Sequence, residues 1–420
     1  MQKIEINDDY VLVTRQELSN AAKNLILNVV TNANGEEVIV FDYYVKANNN
    51  KSYLSHFVNK YSLVEGYTNP PCLVMLKRLF KDGLGMHQLL LLAVKQGAKV
   101  KHVQSTVGMV DLDDMAVDGA EHYKLCKRYA WDFFDGEKIL ERDGNKHKLK
   151  TRRMPEGRVA VFIITSTEEY LKRCLDSLSF NTYRENTDIY VRWYGDNNCP
   201  QEVRKMVISK KIKSGMYRVN ETGFNFSSLN NEMFNEWAIN LDDGGFHYDY
   251  VLLMNDDVEI INPNFLVEMV TLSQRENADV VGAALFYPEE NYHKRVYQHG
   301  GIFLGDDVHQ FVHYGKGRNA ESFYVPTREV SAVTFALALI KTESYDLFGG
   351  LGEKFYGDCN DVDFCYRVRK AGGRIWYSGA AEAWHMESAT RDGDPTMQKD
   401  FASREYYREN KKELQKVFTL

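Results

Sequence analysis

Two aspartates stand side by side in V-L-L-M-N-D-D-V-E-I, residues 251–260, where a greasy strand runs straight into carboxylates. Unpaired carboxylates cost several kcal/mol to bury, so these groups face water or hold something positive. Side chains alternate faces along a strand. That places Asn255, Asp257 and Glu259 on one side and Asp256 on the other. Oxygen ligands gathered at the mouth of a site suit a divalent cation. A solvated strand end before the turn at Asn262-Pro263 accounts for the same residues.

Three further stretches carry reactive side chains. G-D-C-N-D-V-D-F-C-Y-R-V-R-K-A-G-G reads as a helix, with Phe364, Val368 and Ala371 at helical spacing and Gly372-Gly373 ending it. Asn360 takes the N-cap position, and Asp361 and Asp363 fall in the first turn, where the helix dipole favours anions. Such a carboxylate either belongs to the helix start, a contribution of about 1 kcal/mol, or serves as a general base whose basicity comes from position. His385 follows the strand R-I-W-Y; it is either a satisfied structural imidazole or a metal ligand through a neutral ring nitrogen. Trp384 beside it is core or a platform for a sugar ring. In Q-H-G-G, His299 precedes two glycines that admit close backbone approach.

The elements around these residues follow from pattern. N-L-I-L-N-V-V and V-I-V-F-D-Y-Y-V read as a hairpin turning at Asn34-Gly35, Pro70-Pro71 breaks the chain, and Val74 to Gln96 reads as one helix. A strand at A-K-V-K-H-V-Q-S-T, a helix near Glu121 to Phe134 and a turn at Asp143-Gly144 follow. Pro155-Glu156-Gly157 punctuates a basic stretch and marks a boundary. Beyond it, R-V-A-V-F-I-I-T is a continuous apolar run, as a central parallel strand requires. An amphipathic helix with Leu171, Cys174, Leu175 and Leu178 on one face follows, then the strand D-I-Y-V-R-W-Y and a helix from Gln201. M-Y-R-V-N, a helix near Ser228 to Ile239 and the strand at 251 continue the alternation, then a helix from Asn262-Pro263 and the strand A-D-V-V-G-A-A. Strand–helix alternation predicts an α/β fold with a mostly parallel sheet. Ligands bind at the carboxyl ends of such strands, where Asp196 and Asp257 both fall. The expected division is an α+β accessory domain at 1–155, the α/β domain at 156–395 and a helical tail at 396–420.

Bulk properties narrow the classes. A net charge of −7 disfavours a nucleic-acid binder. The six cysteines form no C-x-x-C pair, which points away from a zinc ribbon and towards free thiols in a reducing cytosol. The start M-Q-K-I-E-I-N-D-D-Y does not read as a signal peptide. The greasiest runs, Leu89 to Val94 and Val333 to Ile340, fall far short of the ~20 residues of a membrane helix. In the C-terminal helix, Phe401, Tyr407, Leu414 and Phe418 would dock on the core, while its Lys and Arg would suit peripheral contact with an anionic membrane.

In order along the chain, six pieces resemble family 2 glycosyltransferases of the GT-A fold, especially the subgroup with rhamnosyltransferases of bacterial O-antigen and cell-wall synthesis. They are G-F-N-F-S-S-L-N-N from Gly223, L-L-M-N-D-D-V-E from Leu252 and Y-Q-H-G-G-I-F-L-G from Tyr297. F-G-G-L-G-E-K-F from Phe348, N-D-V-D-F-C-Y-R from Asn360 and W-H-M-E-S-A-T-R from Trp384 complete the set. The resemblance implies a Rossmann-like nucleotide-diphospho-sugar transferase fold. It also implies inverting, metal-dependent transfer from a nucleotide-sugar donor, dTDP- or UDP-linked, to a glycan or lipid-linked acceptor. N-D-D stands at the D-x-D motif, with Asn255 where the first Asp often is, so Asp257 is the implied metal ligand and Asp256 faces the ribose. His385 stands where a second ligand of the Mn2+ or Mg2+ is supplied. Asp361 matches the catalytic base of the E-D motif, with Asn360 replacing the Glu. Thr165, Ser166, Asp196 and Asn230 take nucleotide-side positions, and His299, Trp384 and Asp363 acceptor-side ones. The rival readings are a catalytically silent glycan- or nucleotide-binding module on the same fold, and a sugar nucleotidyltransferase. T-S-T-E-E after the first strand offers no Gly-rich, Arg/Lys-bearing loop for the latter.

Overall fold

The computed structural model describes all residues except 1, 16, 34, 48–49, 55–57, 66–71, 112–119, 144–145, 195–200, 202, 204, 206–212, 215–223, 240–243, 290–293, 306–309, 322–323, 356, 387–400 and 419–420. Asp196, the Pro70-Pro71 break, residues 216–220 and the end of the last motif therefore lie outside the described residues. So do Asn34 and Gly144 of the two expected turns and most of the helix expected from Gln201. The chain forms two compact units, Met1–Arg152 and Arg153–Leu420.

The first unit runs β1 (Gln2–Glu5), β2 (Tyr10–Thr14), α1 (Asn20–Thr31), β3 (Val38–Ala47), β4 (Asn50–Leu54), α2 (Lys60–Val64) and β5 (Cys72–Leu76). It continues with α3 (Met86–Lys95), β6 (Val100–Asp111), α4 (Ala120–Phe133), β7 (Lys138–Asp143) and β8 (Lys146–Thr151). One sheet has the order β1-β2-β5-β3-β4 with β6 beside β3; β7 and β8 pair separately. Two expectations are corrected. N-L-I-L-N-V-V is not a strand: it lies in α1, where the Ser19 hydroxyl accepts from the Ala22 amide and Ala22, Ile26 and Val30 are buried every four residues. Apolar content alone does not separate a short strand from a helix; the spacing of four does. Val74 to Gln96 is not one helix. Cys72–Leu76 is a strand, and α3 begins only at Met86, because Gly83 takes φ +82° and Gly85 occupies the N-cap.

The second unit runs β9 (Val159–Thr165), α5 (Glu168–Leu178), β10 (Thr187–Trp193), β11 (Lys213–Ser214), α6 (Phe226–Trp237), β12 (Tyr250–Asn255), β13 (Val258–Ile260), α7 (Phe265–Glu276) and β14 (Val280–Tyr287). There follow β15 (Val296–His299), β16 (Ile302–Leu304), β17 (Phe311–His313), β18 (Arg328–Glu329), β19 (Leu337–Lys341), α8 (Thr342–Leu347), α9 (Asn360–Lys370), β20 (Ile375–His385) and α10 (Phe401–Val417). The main sheet has the order β11-β10-β9-β12-β19-β14-β20-β13, with β15 on β14 and β18 on β20. β9 to β12 run parallel, β14 and β20 run parallel, and β19 is reversed between the two sets. This is the α/β architecture that alternation implied, with a mixed sheet: β9 to β12 and the β14–β20 pair are parallel, while β13, β15, β18 and β19 join antiparallel. All of β9 is buried, as are Leu171, Cys174, Leu175 and Leu178 of α5; each such apolar side chain contributes about 1.5–3 kcal/mol of transfer free energy.

Register brings the site together. Trp193 pairs with Thr165 and Asn255 with Ile164, so the carboxyl ends of β10, β9 and β12 are level. β20 then breaks step. Ala283 pairs with Ser378 but Ala284 with Glu382, leaving Gly379, Ala380 and Ala381 as a bulge. Past the bulge β20 also pairs antiparallel with β13, placing His385 opposite Val258. Tyr406, Tyr407 and Leu414 of α10, and Phe418 just after it, are buried in the core of this unit, so the helix docks on the protein; the side chain of Phe401 lies outside the described residues.

Candidate functional site

A cavity of about 290 Å³ opens where those strand ends meet. Thr165 and Ser166 reach it from β9, Asn255, Asp256 and Asp257 from the end of β12, Asp361 from α9 and His385 from β20. Residues as far apart in sequence as Thr165 and His385 thus share one space.

The alternation argument fails at this point for a local reason. β12 ends at Asn255, and Asp256 and Asp257 form a turn before β13, so strand parity does not extend across them. All three residues line the cavity. Glu259 is elsewhere, paired with Arg173 at 2.6 Å. Asp256 Oδ2 accepts from the Thr165 hydroxyl at 2.6 Å. Burial, and secondarily the charge of Asp257, pushes the Asp256 carboxyl up to about 7 against the lowering effect of that hydrogen bond.

Asp257 Oδ1 lies 3.3 Å from His385 Nε2, both side chains being largely buried. The backbone reinforces this: the Met386 amide donates to the Asp257 carbonyl. Gln298 holds the other side of the ring. Its Oε1 is 2.6 Å from His385 Nδ1, and its Nε2 donates to the His385 carbonyl at 3.2 Å. With Nδ1–H donating to Gln298, the neutral ring turns the Nε2 lone pair towards the carboxylate. Two lone pairs so close are compatible when a cation or proton lies between them. The carboxylate oxygen suits Mn2+ or Mg2+, while the imidazole nitrogen favours Mn2+ over Mg2+. Among the described residues, no group of three or more His, Cys, Asp or Glu side chains could hold a metal ion. An ion here would therefore complete its shell from ligand phosphates and water, as Mg2+ commonly does.

Asp361 sits in the first turn of α9 with Oδ1 accepting from the Val362 amide at 2.7 Å. The cap is one residue earlier than expected: Cys359, not Asn360, is the N-cap, with φ +67°, a left-handed conformation rare for a side-chain-bearing residue. The Asp363 amide donates to the Cys359 carbonyl, closing the first turn. Cys359, Asn360 and Asp361 all line the cavity.

The remaining expected residues among those described do not line it. Asn230 is buried in α6 and donates to the Phe226 carbonyl. Asp363 pairs with Arg367, which in turn donates to the Phe348 and Gly350 carbonyls. Trp384 packs edge-on against Phe286, with the Arg295 guanidinium over its ring. His299 is 1% exposed and stands behind His313, Nδ1 to Nδ1 at 3.0 Å. Burial first, and His313 next, holds the His299 imidazole well below its usual range. The neutral ring accepts from the Gly301 amide at Nε2, so its Nδ1–H donates to His313. It is His313, with Lys316 and Gln298, that reaches the cavity, and Tyr194 and Phe224 form an aromatic pair on its wall. The sequence carried a signal for only one of these: Gln298 adjoins the His299 already singled out.

The family model described as glycosyltransferase like family 2 matches residues 155–402, more than half of the chain. The chain belongs to this family. It is 37% identical over 182 residues to the uncharacterized protein y4gI of Sinorhizobium fredii (strain NBRC 101917 / NGR234), a stretch covering 42% of this chain and 18% of that one. It is 28% identical over 183 residues to the O-antigen biosynthesis protein RfbC of Myxococcus xanthus, covering 42% of this chain and 13% of that one. The chain thus spans less than a fifth of either relative's length. Among solved structures it resembles GalNAc-T7, crystallised with UDP, GalNAc and Mn2+, at TM-score 0.45 and 12% identity, over 62% of this chain and 50% of that one. The mannosyltransferase PcManGT from Pyrobaculum calidifontis, in complex with GDP-Man and Mn2+, follows at TM-score 0.39 and 13% identity, covering 57% and 59%.

Proposed function

We propose that this family 2 chain is an inverting glycosyltransferase. It would move a sugar from a nucleoside diphosphate donor to a hydroxyl of a glycan or lipid-linked acceptor in bacterial surface polysaccharide synthesis. The observation that carries this reading is the meeting of Asp257 and His385 with Asp361 in one cavity at the ends of parallel strands. Membership of the family supports it, and the name of the RfbC relative supports the polysaccharide context.

In this mechanism Asp361 takes the proton of the acceptor hydroxyl. The freed oxygen attacks the anomeric carbon from the face opposite the diphosphate. A new carbon–oxygen bond forms, and the bond to the phosphate oxygen breaks with its electron pair staying on the phosphate. Asp257 and His385 would hold a divalent cation, Mn2+ or Mg2+, which when bound offsets charge on the leaving diphosphate. Thr165, Ser166 and Asp256 would face the nucleoside, Asp256 oriented by its bond from Thr165. His313 and Lys316 stand on the cavity wall formed around β17 and offer polar contacts there.

The test is a donor screen in Mn2+ or Mg2+ with turnover read as released nucleoside diphosphate. Asp361→Asn should lower turnover by about 10²–10⁴-fold while donor affinity stays within twofold or so. Turnover near wild type in that variant would remove Asp361 from its role. Turnover undiminished by EDTA would remove the cation. Binding of a nucleotide sugar without any turnover would mark a silent binding module instead.

A further inference from the structure

We infer that Gln298 is a positioning residue that selects the tautomer of His385 and so makes its Nε2 a ligand; this rests on the proposed cation site. Gln298 is 4% exposed and faces His385 through both ends of its amide. An amide can be turned end for end, but here its orientation is fixed independently of the ring. The His385 carbonyl can only accept, so the amide nitrogen must face it. The amide oxygen is then the atom left for the ring, and an oxygen that can only accept requires a proton on Nδ1. With its proton held on Nδ1, the ring offers Nε2 towards Asp257 Oδ1 as a ligand once a cation displaces any proton between them. The backbone of residue 385 thereby reads out, through Gln298, which nitrogen of its own side chain is bare. Outer groups that fix a ligating imidazole in this manner commonly matter 10–100-fold for metal affinity.

The backbone around Gln298 is built for this. β15 pairs Leu285 with His299 but Phe286 with Tyr297, so Gln298 is the extra residue of a bulge, freed from the ladder and re-aimed. The two glycines that follow hold the turn closed. A Cβ on Gly300 would come within 2.8 Å of the Tyr314 carbonyl, and Gly301 takes φ +100° with Val330 Cγ1 2.6 Å from where its Cβ would be. The Gly301 amide in turn donates to His299. The stretch Q-H-G-G therefore acts through its glutamine, with the histidine as a buried support.

The experiment uses the 420-residue chain with ¹⁵N-labelled histidine. Metal-free wild type should show His385 with a proton on Nδ1, and diamagnetic Mg2+ should leave Nε2 bare. Mn2+ alone is then titrated, and binding is read from paramagnetic broadening of the His385 and His313 ring signals. Gln298→Leu should lose the single tautomer and need 10–100-fold more Mn2+ for the same broadening. Gln298→Glu keeps an acceptor for Nδ1–H and should keep the proton on Nδ1. A wild-type ring protonated on Nε2 but not on Nδ1, or a Gln298→Leu protein that keeps both the tautomer and the Mn2+ affinity, overturns the assignment. His385→Ala separates the two readings. If that variant binds Mn2+ at the cavity as wild type does, the cation site is wrong, while the metal-free tautomer still judges Gln298.

Discussion

Asp256 and Asp257 are neighbours in sequence with different surroundings: Asp256 is tied to Thr165, Asp257 to the His385 side of the cavity. The raised pKa of Asp256, about 7, has a consequence for stability. The unfolded carboxyl titrates near ~3.9, so the folded state holds this proton more tightly. The stability the group contributes is complete below about pH 4 and is lost as pH rises through about 7. Three units correspond to about 4 kcal/mol at most. Asp256→Asn does not titrate. In chelator-treated buffer its stability should gain on wild type between pH 4 and pH 8, by up to that amount, measured by denaturant unfolding. Mn2+ should narrow the gap at pH 8. A difference that did not vary with pH would exclude Asp256 as its source. At this scale much was legible: Thr165, Ser166, Asp256, Asp257, Asp361 and His385 were named from sequence and all line one cavity. His313 and Lys316 were not, because His313 ends a short hairpin and Lys316 lies just beyond it, with no periodic pattern to single them out.

Elements were legible where periodicity was long. β9, α5 and β12 follow from apolar runs and a four-residue beat. The misread elements, α1 and the start of α3, are those where a short apolar run or a pair of glycines had to arbitrate. α10 was open between protein and membrane on charge grounds; its Tyr406, Tyr407 and Leu414 are committed to the core. Leu414 is 0% exposed, so Leu414→Ala should cost about 2–5 kcal/mol, seen as a lower Tm without any lipid present. An unchanged Tm would mean that the helix does not dock in solution.

Among the described residues, no helix of the molecule is long and apolar enough to cross a membrane. The five described cysteines, Cys72, Cys126, Cys174, Cys359 and Cys365, are buried thiols. The second unit contains every described residue of the site and a core of its own. Residues 153–420 expressed alone should therefore unfold in one cooperative thermal transition and keep the Mn2+ response of the cavity histidines. A fragment without such a transition would show that the first 152 residues are needed to complete the fold. What sequence pattern could not convey at this scale is the order of the strands, since β19 enters between β12 and β14 from far along the chain.

The bulge of β20 gives this strand something like a reading frame. Three residues, Gly379, Ala380 and Ala381, stand outside the ladder before Glu382, and whatever follows inherits its facing from whether that number is odd or even. Deleting Ala380 would be a frameshift of faces: Trp384 would turn towards the cavity and His385 away, with both still in the chain. Deleting Ala380 together with Ala381 restores the frame. The shorter deletion should therefore abolish the Mn2+ response of the cavity while the longer one retains part of it, an order of severity opposite to the number of residues lost.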